Sequence, residues 1–179
     1  MLRTLPESEM GGAVNKALVI GIGNTLRGDD AVGHLVSEEV KGACPTGTIV
    51  LQKTGNGLDL LETWKGADLV IVVDAIRSGN TAGKIHFLDV NKGGPEWDLF
   101  GYSTHSVSLG EAIELGKALG TLPPKLFVCG IEGRSFELGM SVSAQVKEAI
   151  PRAVKLIVET LERRGHARSI PDEELNGTD

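Results

Sequence analysis

The sequence predicts a three-layer α/β sandwich: a five-stranded, twisted, mostly parallel sheet with one antiparallel strand and helices on both faces. Three observations predict it. Apolar runs of five to nine residues alternate with segments whose apolar residues recur at helical spacing. The runs are nearly continuous, as strands covered on both faces require. Their order, βαβαββαβα, returns most strands in parallel through crossover helices.

ALVIGIGN (17–24) opens as the first strand. DDAVGHLVSEEVKG follows as a helix, with Ala31, Val32, Leu35, Val36 and Val40 on one apolar stripe. Gly42 is placed just beyond it, where a left-handed residue often ends a helix. TIVLQ (48–52) is the second strand and Gly57 to Lys65 a short second helix. DLVIVVDAI (68–76) is the third and most apolar strand. The turn-rich RSGNTAG leads to GKIHFLDV (83–90), and this link is too short for a crossover helix. The fourth strand is therefore expected to run antiparallel to the third. VSLGEAIELGKAL (107–119) is a helix whose Ser108 and Glu111 have capping-box spacing. KLFVCGIE (125–132) is the fifth strand, and residues 143–164 the last helix, where Pro151 predicts a kink.

The 179 residues fit one domain. Residues 17–165 form that domain, between an N-terminal extension (1–16) and an acidic tail (166–179), both expected to be flexible. The tail carries half of the net charge of −6. Such a balance argues against nucleic acid as a partner, since its phosphates call for a clustered basic surface. No apolar run approaches the ~18 residues of a membrane span, and the first residues lack a signal peptide's apolar stretch. Two cysteines, Cys44 and Cys129, make neither a disulfide framework nor a CxxC clip. A cytoplasmic protein, monomeric by default, is the expectation.

In sheets of this kind, sites gather beyond the carboxyl ends of the strands. The loop after the first strand, GIGNTLRGDD, superficially resembles a phosphate cradle. A dinucleotide fingerprint would need glycine where Leu26 stands and an acid where Leu51 and Gln52 stand. A P-loop would need Lys-Ser/Thr where Asp29-Asp30 stand, and two carboxylates repel a phosphate. No HExxH and no GxSxG is present. Cys129 lies inside a strand and reads as a small hydrophobe.

Asp29, Asp30, Asp74 and His105 remain as candidates. Either of the paired acids could cap the helix; one cap suffices, which frees the other for function. Asp74 ends an apolar strand, where a carboxylate is rarely buried without a partner. It could instead initiate an Asx turn. His105, in STHS before a helix, could be an ordinary polar loop residue. His34 and His86 fit surface or packing roles, and His166 lies in the tail. Two carboxylates and an imidazole on three loops of one sheet edge would suit a divalent metal such as nickel or zinc. The two acids could equally form a dyad sharing one proton.

LVIGIGNTLRGDDAVG (18–33) closely resembles the opening motif of the nickel–iron hydrogenase maturation endopeptidases. VVDAI (72–76) and STHSVSL (103–109) resemble the second and third motifs of that family, and VCGIE with SVSAQVKEAIPRAV its closing pattern. The resemblance spans about residues 17–162. It implies an enzyme that removes a short C-terminal peptide from the large-subunit precursor of a hydrogenase once nickel is in place. It also implies metal contacts through Asp30, Asp74 and His105, with nickel carried by the substrate and other divalent metals able to substitute. Asp29 then falls to capping and to support of the metal-contacting residues. Relatives often have Glu where Asp30 stands, and a DGG-like turn where this chain has Lys53-Thr54-Gly55-Asn56-Gly57. Two rival readings are a non-catalytic nickel-binding accessory protein and a mononucleotide-binding domain.

Overall fold

The computed structural model describes residues 16–93 and 108–166. The expectations for the two ends (residues 1–15 and 167–179) and for His105 lie outside the described residues. Five strands, β1 (Ala17–Ile22), β2 (Thr48–Lys53), β3 (Leu69–Ile76), β4 (Ile85–Asp89) and β5 (Lys125–Glu132), form one sheet in the order β2-β1-β3-β5-β4. Four are parallel, and β4 runs antiparallel against β5 with Ile85 opposite Ile131. β4 thus has the direction its short connection dictates, but β5 lies between it and β3.

The helices are α1 (Val32–Ala43), α2 (Gly57–Thr63), α3 (Leu109–Leu119) and α4 (Ala144–His166). Successive strand residues point to opposite faces, so the core divides in two. Val19, Ile71, Val73, Cys129 and Ile131 pack against Val32, Val36 and Val40 of α1 and Val146, Ile150 and Ile157 of α4. Leu18, Ile20, Val70, Val72, Leu126 and Val128 pack on the other face with Leu60 of α2 and Ala112 and Ile113 of α3. Each fully buried Val, Leu or Ile is worth ~1.5–3 kcal/mol, which makes these two layers the main source of stability. Cys129 is wholly buried, and burial pushes its thiol up to about 12, as a small hydrophobe requires.

Two expectations about α1 need correction. Leu35 does not join the buried stripe and is 38% exposed. Gly42 does not end the helix but lies inside it. The terminator is Cys44, at φ −76° and ψ 154°, because the residue before Pro45 is driven out of the helical region. α3 has the expected capping box: the Ser108 hydroxyl accepts from the Glu111 N–H at 3.2 Å, and the Glu111 carboxylate accepts from the Ser108 N–H at 2.7 Å. α4 runs on through Pro151. Among the described residues no helix is long and apolar enough to cross a membrane.

Candidate functional site

The strand order reverses between β1 and β3, since β1 leads through α1 to β2 on one side while the later strands build on the other. Ligand sites in open α/β sheets form outside the carboxyl ends of the strands at such a reversal. The segment leaving β1 carries Asp30, and β3 carries Asp74 two residues before its end.

The segment after β1 is held tightly. The Asn24 side chain accepts from the Leu26 N–H at 2.9 Å, and the Asn24 carbonyl accepts from the Arg27 N–H at 3.1 Å. Asp30 closes the loop by donating its N–H to the Arg27 carbonyl and accepting at its own carbonyl from the Asn24 N–H. A short 3-10 turn, Gly28–Ala31, then leads into α1. α1 approaches the sheet so closely that a Cβ on Gly33 would collide with the carbonyl oxygens of Ile22 and Val73. Asp30 lies one turn before Gly33, and Asp74 directly follows Val73. The missing Cβ therefore sets the approach of the two acids. Gly33→Ala is expected to cost about 1–3 kcal/mol by overpacking, read as a lower urea midpoint with an unchanged slope.

Asp74 and Asp30 are brought within electrostatic reach of each other. Burial first, and the negative charge of Asp30 second, push the Asp74 carboxyl up from 3.8 to about 7, against a smaller opposing effect of the Ala75 N–H. Part of the residue still reaches solvent, but protein surrounds its carboxyl. Asp74 stands in the ladder of β3, opposite Gly130 of β5. It does not initiate the turn that follows. That turn is organised by Glu132, whose carboxylate accepts from the Ser78 N–H at 2.8 Å, the Ser78 hydroxyl at 2.7 Å and the Gly79 N–H at 2.9 Å. Glu132 is 1% exposed. Sequence reasoning passed over it, although VCGIE carries the signal that singled out Asp74, an acid closing an apolar strand.

Asp29 departs from expectation. It caps neither the 3-10 turn, whose cap position is Arg27, nor α1, whose cap position is Ala31. Its fully buried carboxylate instead reaches the loop between β5 and α4. There it accepts from the N–H groups of Arg134 at 2.7 Å, Ser135 at 2.9 Å and Ser143 at 2.7 Å, and from the Ser143 hydroxyl at 3.1 Å. Burial alone would raise this carboxyl; the four donors outweigh it and hold Asp29 below its usual value of 3.8. Asp29 supports Asp30 through the backbone, by pinning the loop that carries both.

Of the three expected metal contacts, Asp30 and Asp74 come together and His105 lies outside the described residues. The described chain resumes at Ser108, and Leu109 shares an apolar cluster with Ile76 at the end of β3. Among the described residues, no group of three His, Cys, Asp or Glu is placed to hold a metal ion. The donor chemistry of the pair still fits one. Two like charges held together in low-dielectric surroundings, one of them protonated near neutrality, are what a divalent cation offsets by displacing the proton. His34 is not available in the same way, because its Nε2 lies 3.0 Å from the Lys53 carbonyl. His86 is buried on β4 with Nε2 unpaired. In the turn after β2, Asn56 caps α2 by accepting from the Leu58 N–H at 3.1 Å, and Lys53 faces Asp59 at 3.5 Å.

A family model described as hydrogenase maturation protease matches residues 54–160. The chain is 26% identical over 163 residues to the hydrogenase 2 maturation protease of Escherichia coli K12, covering 90% of this chain and 99% of that one. Among solved structures it resembles the hydrogenase maturating endopeptidase HybD of Escherichia coli with a TM-score of 0.70 and 26% identity, over 84% of this chain and 94% of that one. It also resembles the NiFe hydrogenase maturation protease HycI of Thermococcus kodakarensis, with a TM-score of 0.62 and 29% identity, over 83% and 93% of the two chains.

Proposed function

Because the chain belongs to the hydrogenase maturation protease family and is therefore a peptidase, we propose that it removes a C-terminal peptide from the nickel-loaded large-subunit precursor of a nickel–iron hydrogenase. Asp30 and Asp74 recognise the nickel that the substrate carries, with His105 as the third contact. The observation that carries this reading is the pairing of Asp30 with Asp74, a carboxyl raised to about 7. Such a pair is proton-bound when idle and gives up its proton to a metal. Nickel insertion then becomes a checkpoint, because a precursor without the ion offers the acids nothing to hold and its scissile bond is not docked. Nickel held there would either supply Lewis-acid polarisation to the reacting centre or position the precursor while one of the two carboxylates serves as general base. The protein's own part is to position the precursor and to hold or release a proton at Asp74. Other divalent cations compete for the same carboxylates. In this reading the enzyme works as a cytoplasmic monomer.

Intact mass spectrometry of a purified precursor tests this directly. Incubation with the protein is expected to release one discrete C-terminal peptide from the nickel-loaded precursor and nothing from the metal-free precursor. An unchanged mass with a cognate, nickel-loaded precursor would sink the proteolytic reading and leave a nickel-binding accessory protein as the account. Equal cleavage of both precursors would remove the nickel checkpoint while keeping the protease.

A further inference from the structure

The loop after β1 and the loop between β5 and α4 are joined along their length. The Gly28 N–H donates to the Met140 carbonyl at 3.1 Å, the Gly139 N–H to the Leu26 carbonyl at 2.8 Å, and the Asp29 N–H to the Ser135 carbonyl at 2.7 Å. The Arg27 Nε donates to the Phe136 carbonyl at 3.3 Å. The platform is thus ordered by its backbone, by the buried Asp29 and by Val142, which packs against the core. Three of its apolar side chains are left exposed: Leu26 is 65% exposed, Leu138 75% and Met140 51%. Three large apolar groups displayed on two cross-linked loops mark an interaction surface more than scattered exposure would.

What the surface would hold follows from its position and its charge. Leu26 precedes Asp30 by four residues on the same short loop, so the platform adjoins the segment that carries Asp30 and is in reach of a polypeptide whose metal meets Asp30 and Asp74. Around it stand Arg27, Arg134 and Arg77, the last with its guanidinium 5.0 Å over the Phe136 ring. Glu137 is the one acid exposed among residues 133–143. On a chain of net charge −6 this is a locally basic rim, suited to a partner segment that combines apolar and acidic side chains.

We propose that Leu26, Leu138 and Met140, rimmed by Arg27, Arg77 and Arg134, form a docking platform that grips an apolar, acid-bearing segment of the precursor protein beside its metal site. The inference rests on the peptidase reading, and it places part of the specificity outside the metal. A protease that must find one bond in one folded protein gains selectivity from contacts remote from the reacting atoms.

The test uses the full-length protein and a purified nickel-loaded large-subunit precursor, with Kd from surface-immobilised binding and KM and kcat from cleavage. L138S/M140S is expected to raise Kd and KM at least tenfold with kcat unchanged, and R77E/R134E to do the same with a steeper salt dependence. L119S is the matched control: Leu119 is 61% exposed at the far end of α3 and its loss should change nothing. Circular dichroism and melting temperature confirm that the variants fold, as side chains this exposed allow. Unchanged Kd in L138S/M140S, or an equal loss in L119S, overturns the platform. So does sedimentation showing that the wild type self-associates through these residues, which makes the partner a second copy. Wild type that binds the precursor through the platform without cutting it would refute the proteolytic reading and leave the platform standing. Wild type that neither binds nor cuts would refute the platform too.

Discussion

Asp74→Asn is expected to lose about 10²–10⁴-fold in cleavage rate and yet to melt at a higher temperature than the wild type at pH 8 in metal-free buffer. Both effects follow from one carboxyl. In the folded protein, burial and the Asp30 charge raise Asp74 from 3.8 to about 7. The unfolded chain therefore releases this proton near pH 4, whereas the folded chain holds it until about pH 7. Between those values the native state binds more protons, so stability falls as pH rises and levels off above 7. The ionised, uncompensated acid then costs on the order of 2–4 kcal/mol, at ~1.4 kcal/mol per pKa unit with partial solvent screening. Asparagine keeps the shape, removes the charge and recovers that cost at pH 8. At pH 4 the wild-type acid is already neutral when folded, so the gain should vanish. Melting curves at both pH values, in chelator, check the sign. Retained cleavage, or an equal gain at pH 4 and pH 8, would remove Asp74 from the site. Destabilisation recovered by losing a functional group is the usual signature of an active-site residue.

Much of this was legible in the sequence because the sheet is covered on both faces. β1, β3 and β5 read as unbroken apolar runs, and their bounds follow directly. The antiparallel sense of β4 was legible too, from a connection too short for a crossover. Its place beside β5 was not, since that pairing joins Ile85 to Ile131 across 46 residues. Periodicity over-extended the α1 stripe to Leu35 because a helical wheel does not show where the neighbouring layer stops. Gly42 was read as a stop when the steric demand of Pro45 on Cys44 is what ends the helix. That Asp30, in the segment leaving β1, and Asp74, near the end of β3, stand close together follows from the reversal between β1 and β3. The role of Asp29 was hidden for another reason. As a side chain before a helix it looks like a cap, but its donors lie 105 to 114 residues further along the chain. Local pattern does not encode such a contact, and Glu132, satisfied 53 and 54 residues back, escaped for the same reason.

Asp29→Ala is therefore expected to be the most destabilising single change on this edge of the sheet, at about 3–5 kcal/mol. The substitution strands the partly buried N–H donors of Arg134, Ser135 and Ser143, and leaves a void where the carboxylate stood. Asp29→Asn keeps the volume and one acceptor but turns an amide N–H₂ toward those donors, so an intermediate loss is expected. The pH dependence should be opposite to that of Asp74. Asp29 titrates below 3.8 when folded, so its contribution is fully present above that value and is lost as pH falls through the lower, folded one. The deficit of Asp29→Ala should accordingly be undiminished at pH 8 and shrink towards pH 3. Amide exchange separates this latch from a diffuse effect on the core. Protection at Arg134, Ser135 and Ser143 should collapse first, while β3 amides such as Val72 keep the protection of global unfolding. Retained protection at those three amides would show that the loop is held by other means. Loss of protection there, joined to a fall in kcat at constant nickel loading, would show that cleavage depends on Asp29 holding the far loop in place.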